Sequence, residues 1–164
     1  PSHVVHMTRQ FIMGILPRAI RKAKQEFVVF THRGPNSPRS IENAEELYHQ
    51  LRLVSEEMGL TFVVHDGEQE IAKQIETFAR AKLVIGVHGA GLSNLIYCAP
   101  GTSIIELNAY PAKVSVYSRL ASILNLPYWV VPSAEVFHYA DSVLYSSTQI
   151  HTISATVSHV LSNK

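Results

Sequence analysis

The stretch from Leu83 to Glu106, LVIGVHGAGLSNLIYCAPGTSIIE, constrains the fold more than any other part of the chain. Residues 83–87 form a short apolar run with β-branched side chains, which is typical of a parallel strand buried on both faces. His-Gly-Ala-Gly at 88–91 predicts a turn, and residues 92–99 are compatible with a short helix that the following Pro-Gly ends. Residues 103–107 predict the next strand. A strand, a helix and a strand in this order indicate a parallel sheet.

The alternation of apolar runs with amphipathic segments continues along the whole chain. It predicts an α/β fold, with a Rossmann-like parallel sheet and helices on both faces. Pro17 either breaks the first helix or begins it. The predicted strands are 26–31, 60–65, 83–87, 103–107 and 127–132. The predicted helices are 9–24, 41–58, 71–79, 92–99, 117–124 and 150–161.

The length of 164 residues predicts a single domain, residues 1–164, that is large enough for a real core. We expect residues 1–25 to form an incoming linker and helix, in which residues 1–7 are an incoming segment that is extended at Val4-Val5. Because the chain begins at Pro1 without a methionine, we also expect it to be a processed or excised piece of a longer protein.

Composition excludes several classes of function. The net charge of +1 gives no argument for nucleic acid as a partner. The single cysteine, Cys98, excludes an intrachain disulfide and a cysteine zinc site, and it is expected to be a small buried residue. No apolar run is long enough to span a bilayer. The histidines show no metal-ligand spacing and there is no Asp-x-Asp motif, so we expect no catalytic metal.

The site is expected where the parallel strands end, because ligands of such sheets bind at the carboxyl ends of the strands. The segments predicted to meet there are 32–39, 65–67, 88–94 and 106–111.

The glycine turn within this edge is a candidate cradle for a diphosphate. Glycines without a Cβ allow close approach, and the unpaired amides at a helix start favour an anion. The alternative interpretation is a tight strand-to-helix turn that needs glycine only for its geometry. The residues of the candidate cradle are Gly89, Ala90, Gly91, Leu92, Ser93 and Asn94.

Three better-known glycine motifs do not fit. The nicotinamide fingerprint lies in the first strand-to-helix turn and has a different glycine spacing. A lipase-type oxyanion loop requires a Gly-x-Ser-x-Gly elbow, and the segment 91–95, Gly-Leu-Ser-Asn-Leu, lacks the last glycine. The Gly-Lys-Ser/Thr of a Walker loop is absent.

Three further residues are candidates for contact with the phosphates. His88 precedes the turn, where it can stabilise a departing diphosphate; the alternative is a structural histidine bonded to backbone. Arg33 and Arg39 flank the end of the first strand, and arginine forks match phosphate oxygens. The alternative for each arginine is a solvated side chain paired with a nearby glutamate.

His-Gly-Ala-Gly-Leu-Ser-Asn, followed by Ala-Pro-Gly-Thr and Ile-Ile-Glu, closely resembles the C-terminal domain of glycosyltransferase family 61. The segment 31–47 is similar to the family's arginine-containing region, although its gap before Arg39 is longer and richer in proline. Asn43 in this segment is interpreted as a possible cap of the following helix. The motifs cover roughly residues 27–110.

The resemblance implies the donor-binding half of a GT-B transferase, with no cofactor beyond a nucleotide-sugar donor that is expected to be UDP-linked. It implies inverting transfer to a glycan or glycoprotein hydroxyl, with the acceptor half and the general base supplied by an N-terminal domain outside this chain. By the same analogy, Glu106 accepts hydrogen bonds from ribose hydroxyls; the alternative is an ion pair with an arginine. The resemblance places eukaryotic members in the lumen of the endoplasmic reticulum or Golgi.

Two other functions stay open at this point. One is a non-catalytic nucleotide- or phosphate-binding module. The other is a different GT-B enzyme, such as a nucleotide-sugar epimerase.

Overall fold

The computed structural model describes residues 2–32, 34, 37–108, 116–132 and 142–163. Within them lies a five-stranded parallel sheet with the strand order β2-β1-β3-β4-β5. This confirms the predicted α/β fold with a Rossmann-like sheet. The strands are β1 (Phe27–Thr31), β2 (Thr61–His65), β3 (Ala81–Val87), β4 (Ser103–Asn108) and β5 (Tyr128–Pro132).

Helices connect the strands and cover both faces of the sheet. The α-helices are α1 (Ser2–Ile15), α2 (Arg18–Arg21), α3 (Ala44–Glu57), α4 (Ile71–Ala79), α5 (Val116–Ile123) and α6 (Ser147–Ser162). Between β3 and β4 the chain forms a 3₁₀ helix, Ala90–Tyr97. None of the helices in the described ranges is both long and apolar enough to cross a membrane.

Two core clusters lie on opposite faces of the sheet because side chains alternate along each strand. Val28 and Phe30 belong to the cluster covered by α3 and α6. Val29, between them, belongs to the cluster covered by α4, α5 and the 3₁₀ helix. The near-continuous apolar runs of the central strands follow from this two-sided burial.

The beginning of the chain differs from the prediction. The extended stretch expected at Val4-Val5 is wrong, because α1 already begins at Ser2 and ends at Ile15, before Pro17. Val5 packs against the second core cluster. The guanidinium of Arg9 donates to the carbonyl oxygen of Cys98 at 2.5 Å and to that of Leu124 at 3.3 Å. These tertiary contacts stabilise a helix that local β-branched residues disfavour.

The helix expected at 92–99 is displaced toward the glycine turn. It begins at Ala90, and the Leu92 amide donates to the Gly89 carbonyl at 3.0 Å, a bond of the tighter 3₁₀ type. Cys98 has extended dihedral angles and therefore lies just outside the helix. It is fully buried, as expected, and this burial raises the pKa of its thiol to about 12.

The helix predicted at 41–58 begins later, at Ala44. Ile41 instead pairs with Val143 in an isolated parallel bridge. Asn43 occupies the N-cap position of the helix, as expected, but its side chain makes no capping bond to the helix amides. Its amide nitrogen donates to the Tyr145 carbonyl at 2.8 Å and to Glu46 Oε2 at 3.0 Å. Its oxygen accepts from the Tyr145 amide at 3.0 Å.

Candidate functional site

A pocket of about 360 Å³ opens at the carboxyl ends of β1, β2 and β3. Between β1 and β3 the strand order reverses, and such a switch point leaves a crevice for ligands in open α/β sheets. The described residues that line it come from three of the four segments predicted to meet at this edge, together with one residue of α4. They are His32, Gly34, Ser37, His65, Asp66, Gly67, Gln74, Ala90, Gly91 and Asn94.

His65, the last residue of β2, is almost completely buried in the wall of this pocket, with 2% exposure. Its Nε2 lies 3.2 Å from the side-chain nitrogen of Asn94, and its ring stands edge-on to Phe78 with 4.9 Å between centroids. Its Nδ1 is buried without a described hydrogen-bond partner. Burial lowers the pKa of His65, against a smaller opposing effect of the Asp66 carboxylate. His65 is therefore a neutral imidazole at pH 7.

His32 follows β1 on the neighbouring wall, and its backbone amide donates to the His65 carbonyl at 2.8 Å. The Tyr48 hydroxyl lies 2.5 Å from His32 Nδ1. The pKa of Tyr48 is raised by burial and, to a smaller extent, by Glu45, so this hydroxyl keeps its proton. The direction of this hydrogen bond follows the tautomer of His32: where Tyr48 donates to Nδ1, neutral His32 carries its own proton on Nε2.

The glycine turn lies in the wall of the pocket and also packs against β1. Ala90, Gly91 and Asn94 line the pocket. Gly89 has extended backbone angles (φ 168°, ψ 173°), which other residues also adopt. A Cβ on Gly91 would lie 3.0 Å from the Cβ of Thr31, so this glycine allows the turn to pack closely against β1.

The remaining two residues of the predicted cradle differ in their environment. The Leu92 side chain is fully buried in the second core cluster, and its backbone amide already donates to the Gly89 carbonyl at 3.0 Å, so the amide contact expected of Leu92 is not available to a ligand. Ser93 is exposed. The residue before the 3₁₀ helix is Gly89, which has no side chain to cap the helix start.

His88 and Glu106 form a second cluster, at the ends of β3 and β4. Glu106 is fully buried, and its Oε1 lies 2.5 Å from His88 Nδ1. Its Oε2 accepts a hydrogen bond from the Tyr128 hydroxyl. The His88 ring packs edge-on against Tyr117, with 5.1 Å between centroids, and its side chain keeps 28% exposure. Neither His88 nor Glu106 is among the described residues lining the pocket.

Of the two predicted arginines, the structure describes Arg39 alone. Arg33 lies outside the described residues. Arg39 is 3% exposed and has a positive φ of 64°, in the turn between β1 and α3. It is not among the described pocket-lining residues, and its burial excludes the solvated loop arginine considered as its alternative.

Sequence reasoning missed the contributions of three side chains. His32 and His65 fall within the segments predicted at the carboxyl edge, but the predicted site does not include their side chains. Their position is the signal that could have found them. His65 is the last residue of β2, and His32 directly follows the last residue of β1. Tyr128 had no local signal, since it reaches Glu106 across the β4–β5 pair. The described part of the chain contains no group of three or more His, Cys, Asp or Glu side chains that could hold a metal ion.

The family model described as Glycosyltransferase 61 matches residues 2–105, which is more than half of the chain. This range covers the first three strands, the glycine turn and the first half of β4. A search of curated proteins gave no match.

Proposed function

The chain belongs to glycosyltransferase family 61, and from this premise we propose that it binds the nucleoside-diphosphate sugar of an inverting transferase. Family membership supports transfer of a sugar from a donor to an acceptor. We propose further that the donor is UDP-linked. The acceptor is a hydroxyl of a glycan or glycoprotein, bound by a further domain.

The observation that carries this proposal is the pocket at the switch point between β1 and β3. It is lined by the Ala90-Gly91 turn and by Asn94, the residues expected to meet a diphosphate. Unpaired amides at the start of a helix favour an anion, and the helix dipole adds a favourable positive field. His32 and His65 add imidazole groups suited to hydroxyl or carbonyl groups of the donor.

In the proposed reaction the acceptor oxygen attacks the anomeric carbon from the face opposite the diphosphate. The new carbon–oxygen bond forms as the bond to phosphate breaks, and the electron pair leaves with UDP. The acceptor proton passes to a base on the acceptor side. Groups of this chain stabilise the charge that develops on the diphosphate, which lowers the barrier by electrostatics.

Calorimetric titration of the protein with UDP, UDP-GlcNAc, UDP-xylose and inorganic phosphate tests the proposal. We expect UDP and at least one UDP-sugar to bind more tightly than phosphate. Asn94→Ala should weaken UDP binding, whereas Asn163→Ala, at the exposed end of α6, should not. Absence of UDP binding at millimolar nucleotide contradicts the proposal. Equal binding of UDP and phosphate favours a simple phosphate-binding module instead.

Turnover measurements test whether this chain lacks the acceptor site and the base. We expect the chain alone to transfer little sugar, because the acceptor site and its base are proposed to lie on another domain. Efficient transfer to an added acceptor by this chain alone would show that it contains both.

A further inference from the structure

Glu106 is a buried carboxylate whose two oxygens both face groups of the protein itself. The side chain is fully buried, His88 Nδ1 lies 2.5 Å from Oε1, and the Tyr128 hydroxyl donates to Oε2. A buried carboxylate is costly unless it is hydrogen-bonded, so these two contacts stabilise it in place. An ionised carboxylate only accepts hydrogen bonds, so against ionised Glu106 the imidazole of His88 carries a proton on Nδ1.

We propose that Glu106, held by Tyr128, is a positioning residue that orients the imidazole of His88 toward the diphosphate of the donor. This inference rests on the proposed function and replaces the ribose contact expected for Glu106. A ribose hydroxyl would have to reach a side chain with no exposure, in competition with His88 and Tyr128.

The position of His88 fits this role. It is the first residue after β3 and immediately precedes the turn whose Ala90 and Gly91 line the pocket. Its side chain keeps 28% exposure, whereas that of Glu106 keeps none. The Tyr117 ring packs against the imidazole and further limits its rotation.

The arrangement also matches the charge of the donor. When the imidazole carries both protons, Nδ1–H donates to Glu106 and Nε2–H can donate to a phosphate oxygen. The cation then lies between two anions, and charge-assisted hydrogen bonds of this kind are stronger than neutral ones. The carboxylate thus prepares His88 for an anionic ligand without touching that ligand itself.

A double-mutant cycle distinguishes positioning from ribose binding. We expect Glu106→Gln to weaken UDP binding by about tenfold, as loss of a charge-assisted bond does. In a His88→Gln background, the same change should add less than about a twofold loss, since its effect passes through His88. Uridine binding should change little. Equal losses in both backgrounds, with a loss for uridine and none for 2′,3′-dideoxy-UDP, would overturn the proposal in favour of ribose.

Tyr128→Phe provides a milder test that keeps the carboxylate. We expect it to weaken UDP binding by about twofold to fivefold, because Oε2 loses its donor and Glu106 is held less firmly. Tyr97→Phe is the matched control, since Tyr97 and Tyr128 are both half-buried against the same core cluster. Equal UDP affinities for the two variants would contradict the role of Tyr128. Thermal melting of all variants checks that they fold.

Nuclear magnetic resonance of ¹⁵N-labelled imidazoles tests the contact without any ligand. We expect the spectrum to show a hydrogen-bonded Nδ1 proton for His88 at neutral pH. In Glu106→Gln, the resonance of this proton should move upfield. An unprotonated Nδ1 in the wild-type protein overturns the proposal even if UDP binds. If UDP does not bind at all, the proposed function fails, while this spectrum still decides whether Glu106 orients His88. It also decides the case in which Glu106→Gln does not fold.

Discussion

The side chain of Thr31 on β1 fills the space that a Cβ of Gly86 on β3 would need. The two residues are partners in the β1–β3 register, and a Cβ built on Gly86 would lie 1.9 Å from Thr31 Oγ1 and 3.2 Å from Thr31 Cβ. Gly91 in the following turn also approaches Thr31, with 3.0 Å from its would-be Cβ to Thr31 Cβ. Thr31 therefore fixes how closely the glycine turn approaches the end of β1.

Gly86→Ala is expected to destabilise the protein by about 1–3 kcal/mol or more, because it overpacks a buried site. Thermal and urea unfolding measure the change. Gly14→Ala in α1 is the control, since nothing lies within 4 Å of its would-be Cβ, and it should stabilise by up to about 1 kcal/mol. The double variant Gly86→Ala/Thr31→Ala should recover part of the loss. A Gly86→Ala variant as stable as wild type would disprove the contact.

Asn43→Ala is expected to lower the free energy of unfolding by about 1–3 kcal/mol. The change leaves both the amide and the carbonyl of Tyr145, 102 positions away, without the bonds that Asn43 provides. Asn43→Asp keeps the acceptor and loses the donor, so its effect should be intermediate. Urea unfolding at pH 7 measures all three proteins. An Asn43→Ala variant that loses no stability would show that the two hydrogen bonds between Asn43 and the Tyr145 backbone contribute nothing to it.

His65 is expected to make stability depend on pH in the mildly acidic range. Its pKa in the folded state is lowered, mainly by burial, from the ordinary value of 6.5. The unfolded chain therefore binds more protons, and the stabilisation is complete above pH 6.5 and is lost as pH falls below it. Urea unfolding between pH 5 and about 8 should show this loss, and His65→Gln should reduce it. His151→Gln, at an exposed position on α6, is the control for the loss of a histidine.

Arg33→Ala is expected to weaken binding of UDP more than binding of uridine. This prediction comes from the sequence, which places an arginine fork at the end of β1, and a lost charge-assisted bond corresponds to about a tenfold or greater loss. Calorimetry with both ligands measures the difference, with the exposed Arg119→Ala on α5 as the control. An equal loss for both ligands would show that Arg33 acts through folding or through the nucleoside.

The strands and most helices were predictable from local pattern. The apolar run predicted at 83–87 is the carboxyl part of β3, which begins two residues earlier at Ala81. A strand that is buried on both faces has a continuous run of apolar residues, and a helix that is buried on one face has apolar residues at helical spacing. Both patterns are visible in the sequence. The failures occurred where distant contacts override local preference, as in α1, where Arg9 bonds the carbonyls of Cys98 and Leu124.

The sequence by itself determined that the glycine turn and the strand ends lie at one edge, because all parallel strands point the same way. Only the tertiary structure decided which side chains meet there. It joins His65 to Asn94 and His88 to Glu106, it buries Arg39, and it uses Gly91 to accommodate Thr31. Such pairings depend on strand order and on side-chain direction across neighbouring strands, and neither property is encoded in the spacing of residues along one strand.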